Sequence, residues 1–490
     1  MDYHFEIPKE ISNITKTLEE GGFEAYLVGG CVRDLFRKDK PKDWDVTTNA
    51  NPEQIMKLFE KSVYENNFGT VAVINENIND QTLKVVEITP YRLEAKYSDH
   101  RHPDSIIFGN KLEDDLKRRD FTINAIAYNV SKKQVIDLCN GQQDIKDMII
   151  RTVGKPRERF SEDALRMLRG IRLATQLGFM INADTEKAIL MMGSFMNNIS
   201  AERIQDEFVK IIMSDEPMKG LITANKLGIL KYIVPELETG IGIKQNKDHI
   251  YEVWEHLLRS IQHSAKRSWP LHVRLSALFH DIAKPKTRFW MDEKKDYTFY
   301  GHDVVGARIA NEIMVRLKFS KKMIETVTKL VRNHMFFSDI DQITLSAVRR
   351  LVSRVGPENV WDLMRVRACD RIGMGKPKET PYRLRKYESM IEEAMRAPVS
   401  VGMLKIDGIK IMDVIHETPS PRIGYILHAL LEEVLENPSL NTTEYLEKKT
   451  KELAQFPEKD LKNLGKAGKE KRDEEEEKEL SIIRQRHGVK

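Results

Sequence analysis

The sequence predicts an α+β chain, with an α/β head followed by helices alone, and three observations carry that reading. From Ile11 to about Leu138, short apolar segments alternate with helical ones, the mark of an α/β layer. After Ile149 the pattern changes to long amphipathic segments with few strand signals. At 490 residues the chain is too long for one core, so roughly three or four domains are expected.

Strands are predicted at Ala25 to Val28, Trp44 to Thr47, Thr70 to Ile74, Val85 to Thr89 and Ala125 to Tyr128. The Gly29-Gly30 pair after the first strand permits a tight turn, and Cys31 to Arg37 can open a helix whose N-terminus attracts phosphate. The helical part is expected to start at Ser161-Glu162-Asp163-Ala164, with Ser161 as N-cap. These changes divide the chain into a head (1–150), a helical neck (151–215), a connector (216–247), a histidine-rich domain (248–375), a further helical region (376–465) and a charged tail (466–490).

Composition excludes several classes. The 79 basic residues against 75 acidic ones leave a net charge of only +4, so any nucleic-acid surface must be local. Cys31, Cys139 and Cys369 are far apart and odd in number, which fits a reducing cytoplasm rather than a disulfide framework. No apolar run approaches about 18 residues, so no membrane span is expected, and the N-terminus lacks the pattern of a signal peptide.

The chemistry is concentrated in a few segments. In Lys42-Asp43-Trp44-Asp45-Val46 the acids alternate with apolar residues, so on a strand Asp43 and Asp45 project from one face and can converge on one or two Mg²⁺ ions. Beside a phosphate-binding Gly29-Gly30 turn, this arrangement points to phosphoryl or nucleotidyl transfer. Each half alone is common, as a solvated strand pair or a plain turn. Arg118-Arg119-Asp120, followed by Asn124, can hold phosphates and ribose hydroxyls, or form a surface ion-pair cluster. Asp163, Arg166, Arg169 and Arg172 follow at three-residue steps, so on one helix they form a single row able to read a base edge, or a row of ion pairs.

Together these segments resemble class II tRNA nucleotidyltransferases, the CCA-adding enzymes, and the related bacterial poly(A) polymerases. Leu27-Val28-Gly29-Gly30-Cys31-Val32-Arg33-Asp34 with Asp43 to Thr48 looks like the family's catalytic motif, and Arg118-Arg119-Asp120 like its ribose motif. Asp137-Leu138-Cys139-Asn140-Gly141 resembles the hinge between head and neck. Glu162-Asp163-Ala164-Leu165-Arg166 resembles the base-template motif, and Ala201 to Glu207 the stabilising motif after it. The resemblance is dense over about Ile11 to Met213 and diffuse to about Leu453.

It implies a polymerase-beta-like nucleotidyltransferase head followed by helical neck, body and tail. Metal-dependent attack of a tRNA 3′-hydroxyl on CTP or ATP would be served by Asp43 and Asp45, with Gly29, Gly30 and Arg33 at the triphosphate, and Asp163 with Arg166 at the base. Such a pair usually has a third carboxylate; Glu87, on a predicted neighbouring strand, is the candidate, with a plain surface acid as the alternative. The polar segment Tyr91 to Pro103 resembles the flexible loop needed to switch from C to A addition, which argues against a CC-only enzyme. A-only addition and poly(A) synthesis stay open, although the half-acidic tail differs from the basic tails of poly(A) polymerases.

Seven of the 13 histidines lie between residues 248 and 375. His280-Asp281, expected on one helix, with His256, His302, His334 and Asp370, resembles the HD phosphohydrolase ligand set, which would favour Mn²⁺, Ni²⁺, Fe²⁺ or Zn²⁺, the alternative being a degenerate structural domain. His249, His263 and His272 are read as surface or core residues. A hydrolase with an inactive head and an RNA-binding scaffold are the rival readings. Arg349-Arg350 and Arg383-Leu384-Arg385-Lys386 are candidate contacts to RNA phosphates or plain charged helix faces.

Overall fold

A computed structural model describes residues 3–64, 69–76, 78–92, 108–246, 249–335, 343–395, 400–457 and 460–461. The charged tail and residues 93–103 of the expected loop lie outside them. The chain forms two compact units, Met1–Ile233 and Val234–Lys490.

The head is built on a seven-stranded sheet: β1 (Ala25–Val28), β2 (Asp45–Thr48), β3 (Ser62–Tyr64), β4 (Val71–Ile74), β5 (Val85–Pro90), β6 (Ile126–Asn129) and β7 (Gln134–Asp137). The order is β3-β4-β5-β2-β1-β6-β7, with only β2 and β5 running parallel. Five of these strands follow the predicted segments. β3 and β7 escaped prediction because each is short and has little burial to impose an apolar pattern.

Alternation assigns the two faces. Leu27, Val46, Val86, Ile88, Ile126 and Tyr128 point into the main core, where Ile11, Ile14 and Leu18 of the helix Lys9–Glu20 cover them. Burying each large apolar side chain contributes about 1.5–3 kcal/mol. On the opposite face, Val28, Ala127 and Tyr91 pack with Leu112 and Leu116 of the helix Leu112–Lys117. Tyr91, the first residue of the expected loop, is buried rather than solvated, and its hydroxyl donates to Glu24 at 2.7 Å.

The neck differs from expectation at its start. Ser161 is no N-cap; it lies inside the helix Pro156–Glu162 and its hydroxyl donates back to Glu158 O. The helix stops at Asp163, which is extended at φ −145° and ψ 104°, and a second helix runs Leu165–Leu177. Asp163 Oδ1 accepts from Leu165 N at 3.1 Å; a short side chain that bonds nearby backbone suits a helix end better than its interior. Leu173 and Ala174 of the second helix join the head's core.

Among its described residues the second unit is helical apart from one hairpin, Phe289–Met291 with Asp296–Thr298. A two-stranded pair, Ile149–Ile150 with Met180–Ile181, likewise interrupts the region after the head. Both are too short for period-two patterning to stand out. Val273, Leu330, Val352 and Leu363 share one core with Leu384, Ile391, Leu430 and Leu446.

Candidate functional site

The head site begins at Gly29. Its φ of 78° and ψ of −137° belong to backbone that side chains avoid, and a Cβ there would lie 3.1 Å from Asp45 Oδ2 and 3.5 Å from Arg119 Nη1. The turn thus brings main chain against a carboxylate and a guanidinium. Asp45 opens β2, opposite Val28 on one side and opposite Glu87 of β5 on the other. Strand neighbours in register share a face, so Asp45 and Glu87 stand side by side. Asp43 sits in a bend just before the strand, exposed, while Trp44 and Val46 are buried behind it. Burial pushes the Asp45 pKa up and Asp43 adds to the rise, against the pull of Arg119 and Arg33. A carboxylate so placed among acids is suited to a cation.

The cations around this face are held by specific partners. Arg33 donates to Asn124 Oδ1 and Asp34 Oδ1, each at 2.9 Å. Arg118 and Arg119 share the fully buried Asp115, whose Oδ2 accepts from Arg119 Nη2 at 3.0 Å. The sequence signal for Asp115 is its spacing of three and four residues from the two arginines, the usual helical pairing distance. Burial works to raise the pKa of Asp120, yet Arg169 and Arg166 hold it below the usual carboxylate range. Its Oδ2 lies 3.0 Å from Arg169 Nη2, so the acid expected at the ribose is here tied to the neck helix.

Of the expected row, Arg166, Arg169 and Arg172 lie on the helix Leu165–Leu177 at three-residue steps, but Asp163 does not. Asp163 lies off the helix and accepts from Arg203 at 2.7 Å, Arg166 pairs with Glu162, and Arg172 pairs with Glu207 at 2.9 Å. Arg166 also donates to the carbonyls of Arg159 and Arg118, each at 3.2 Å. Partners for the predicted arginines therefore come from three separate segments.

The expected hinge is a capped turn. Asp137 accepts from the backbone N–H groups of Cys139, Gly141 and Gln142, and a Cβ on Gly141 would fall 2.2 Å from Thr122 O.

In the second unit, all six predicted ligands converge. His256 ends in Nε2 3.0 Å from Asp281 Oδ2, while His302 and His334 present Nε2 at 3.2 and 3.5 Å from Asp281 Oδ1. His280 Nε2 lies 3.3 Å from Asp281 and 3.6 Å from Asp370. Asp281 thus bridges two groups, one of His249, His256 and Asp370, the other of His302 and His334. His280-Asp281 sits in the turn after the helix Leu271–Phe279 rather than on a helix.

His249 is a correction: it belongs to the cluster, and its Nε2 is 3.2 Å from Lys284 Nζ. Nothing local marks it, because its place depends on contacts with His256 and Lys284, which lie on other segments. His263 and His272 stay outside, 3.5 Å from Glu379 and 2.6 Å from Asp362.

The donor set fits divalent metal ions. His280, His302 and His334 each donate Nδ1–H to a backbone carbonyl at 2.6–2.9 Å, which aims the other nitrogen at the carboxylates. Burial alone would favour a neutral His280 ring, but Asp281 and Asp370 draw a proton to it and push its pKa up to about 9. The same two carboxylates would draw a divalent cation. Asp281 in turn is held well below the usual range despite burial, chiefly by Lys284 and His280.

The candidate RNA-phosphate arginines are partly engaged within their own unit. Arg349 donates to Leu435 O at 3.2 Å and Arg350 pairs with Glu436, both on the helix Pro421–Glu436.

Comparison with known proteins bears on both sites. Residues 25–151 match the family model described as the Poly A polymerase head domain, residues 178–241 the probable RNA and SrmB-binding site of polymerase A, and residues 247–371 the HD domain. The CCA-adding enzyme of Lactobacillus helveticus is 47% identical over 199 residues, which span 40% of this chain and 48% of that protein. The CCA-adding enzyme of Lactobacillus delbrueckii subsp. bulgaricus is 30% identical over 439 residues, 88% of this chain and 96% of that one. The crystal structure of the Bacillus stearothermophilus CCA-adding enzyme in complex with CTP covers 93% of this chain and 100% of its own, with a TM-score of 0.67. At 24% identity this last likeness shows the fold.

Proposed function

The chain belongs to the CCA-adding enzymes, a nucleotidyltransferase family, with an HD domain in its second unit, and on that premise we propose that it adds the full CCA sequence to tRNA 3′ ends from CTP and ATP without a nucleic-acid template. The observation that carries this reading is the register of Asp45 with Glu87, with Asp43 just before β2 and the Gly29 turn against Asp45. Mg²⁺ ions bound by these three carboxylates would activate the attacking 3′-hydroxyl and neutralise the leaving pyrophosphate.

The chain's own groups account for the rest. Gly29 and Gly30 leave room for a triphosphate beside the helix Gly30–Arg37, and Arg33 and Arg119 reach it from fixed anchors. Asp120 and Asn124 serve the sugar. Asp163 and Arg166 read the base, held in place by Arg203 and Glu162, while Arg169 and Arg172 tie that helix to Asp120 and Glu207. The domain limits given above, and a cytoplasmic location suited to three free cysteines, belong to the same proposal.

Primer extension on tRNAs lacking either the whole CCA end or only its terminal A, with CTP and ATP supplied singly and together, tests it. Extension by C, C and A supports full CCA addition. Incorporation of A alone would make this an A-adding enzyme, and a long A tract a poly(A) polymerase. Asp43→Ala is expected to abolish incorporation while tRNA binding persists; retained turnover refutes the ligand role, and an inert wild-type head leaves only the HD reading.

The His/Asp cluster favours a second activity: phosphoester hydrolysis on nucleotides or RNA ends, with Mn²⁺, Ni²⁺, Fe²⁺ or Zn²⁺ held by His256, His280, Asp281, His302, His334 and Asp370.

A further inference from the structure

The second unit also contains a cleft of about 530 Å³ lined by Arg367, Arg371, Pro381, Tyr382, Arg383 and Leu384. Its volume is in the range of small-molecule sites, roughly 300–1,000 Å³. Among the described residues, three guanidinium groups line it and no acidic side chain does. Arg367 is offset by its ion pair with Asp370, whereas no carboxylate among the described residues pairs with Arg371 or Arg383, and two like charges so placed favour an anion.

The cleft draws on two helices. Arg367 and Arg371 are one turn apart on Val360–Gly373, so they share a face. Tyr382 and Arg383 begin Tyr382–Met395. The Tyr382 side chain is 66% exposed, and Arg371 is steadied by its Nε–H donating to Lys378 O at 3.3 Å. Between the two arginines on the first helix stands Asp370. Its Oδ1 faces His256 and His280 at 3.5 and 3.6 Å, and its Oδ2 accepts from Arg367. One stretch of five residues therefore supplies both a ligand of the His/Asp cluster and two cations of the cleft.

We propose that this cleft is the substrate subsite of the His/Asp centre and takes a nucleotide phosphate, with the phosphate on Arg371 and Arg383 and the base against Tyr382. Guanidinium forks suit phosphate oxygens, and an exposed aromatic ring offers a stacking platform indifferent to which base it meets. Arg367 links the bound phosphate to Asp370. The proposal rests on the hydrolase reading for the importance of its location, but binding can be measured without hydrolysis. The phosphate could belong to a free mononucleotide or to a phosphorylated RNA 3′ end, since both display the same group.

Equilibrium dialysis of the full chain against 5′-AMP, adenosine, and a trinucleotide RNA carrying a 3′-phosphate separates these cases. Head binding is common to wild type and variants and cancels in the comparison. Arg371→Ala combined with Arg383→Ala is expected to weaken binding of the phosphorylated probe roughly tenfold or more, and Tyr382→Leu roughly fivefold or more, with thermal unfolding unchanged. Loss for AMP assigns the cleft to free nucleotides, and loss confined to the trinucleotide assigns it to RNA ends. Both probes binding the double variant and Tyr382→Leu as they bind wild type overturns the proposal, as does adenosine binding as tightly as AMP. Phosphate release is assayed separately with Mn²⁺ or Ni²⁺ added. A wild-type chain that binds through these residues yet releases no phosphate refutes the hydrolase reading, and with it the cleft's role as a substrate subsite, and leaves the cleft standing as a nucleotide-phosphate binding site only.

Discussion

Replacing Gly29 by alanine tests the head site at its tightest point. Two costs arise. The backbone conformation, φ 78° and ψ −137°, is one in which an L side chain is strained by about 1–3 kcal/mol. The new Cβ would also stand 3.1 Å from Asp45 Oδ2, so the carboxylate must yield by a few tenths of an ångström, away from its register with Glu87. Gly22→Ala separates the two costs, because Gly22 also has positive φ, at 84°, but nothing lies within 4 Å of its would-be Cβ. Both variants should lower urea stability by about 1–3 kcal/mol. Only Gly29→Ala should also lower kcat for CTP incorporation, by roughly tenfold to a hundredfold, as a displaced catalytic group does. Wild-type turnover in Gly29→Ala, or an equal loss in Gly22→Ala, would refute the argument that Gly29 is needed for room beside Asp45.

Other consequences follow from the same geometry. Asp115→Ala leaves Arg118 and Arg119 without their shared anchor; since both guanidiniums are partly exposed, the stability loss should be about 1–3 kcal/mol, with KM for CTP raised roughly tenfold. An unchanged KM would show that Asp115 does not position Arg119. Gly141→Ala places a carbon 2.2 Å from the Thr122 carbonyl and should cost about 3 kcal/mol or more, read by urea unfolding; wild-type stability would contradict the packing at that turn. Substituting His280 and Asp281 together by alanine should strip the second unit of bound divalent metal in elemental analysis after dialysis, and an unaltered metal content would rule out the cluster as a metal site.

Where a signal was local, the residues announced the structure. The Gly29-Gly30 turn, the strand Ala25–Val28 and the buried Val46 behind Asp45 appear as read, because alternation along a strand decides each side chain's face without reference to the rest of the chain; Asp43, expected on the same strand, lies instead in the bend before it. Signals assuming an uninterrupted helix failed at Asp163 and Ser161. There a three-residue spacing suggested one row, and a side chain bonding its own backbone ended the helix instead.

The sequence by itself determined the class of chain, a mixed head followed by helices, and the residue types able to hold metal and phosphate: Asp43 and Asp45, Arg33 and Arg119, and the histidines with Asp281 and Asp370. Tertiary structure alone decided which of these meet. It set Glu87 beside Asp45 through parallel pairing of strands some forty residues apart, gave Arg169 to Asp120 and Arg203 to Asp163, and drew His249 into the cluster. The physical reason is range. Face and turn are settled by sterics within a few residues, whereas an ion pair or a shared ligand site depends on where distant segments cross, and charged side chains look alike in sequence until a partner is in reach.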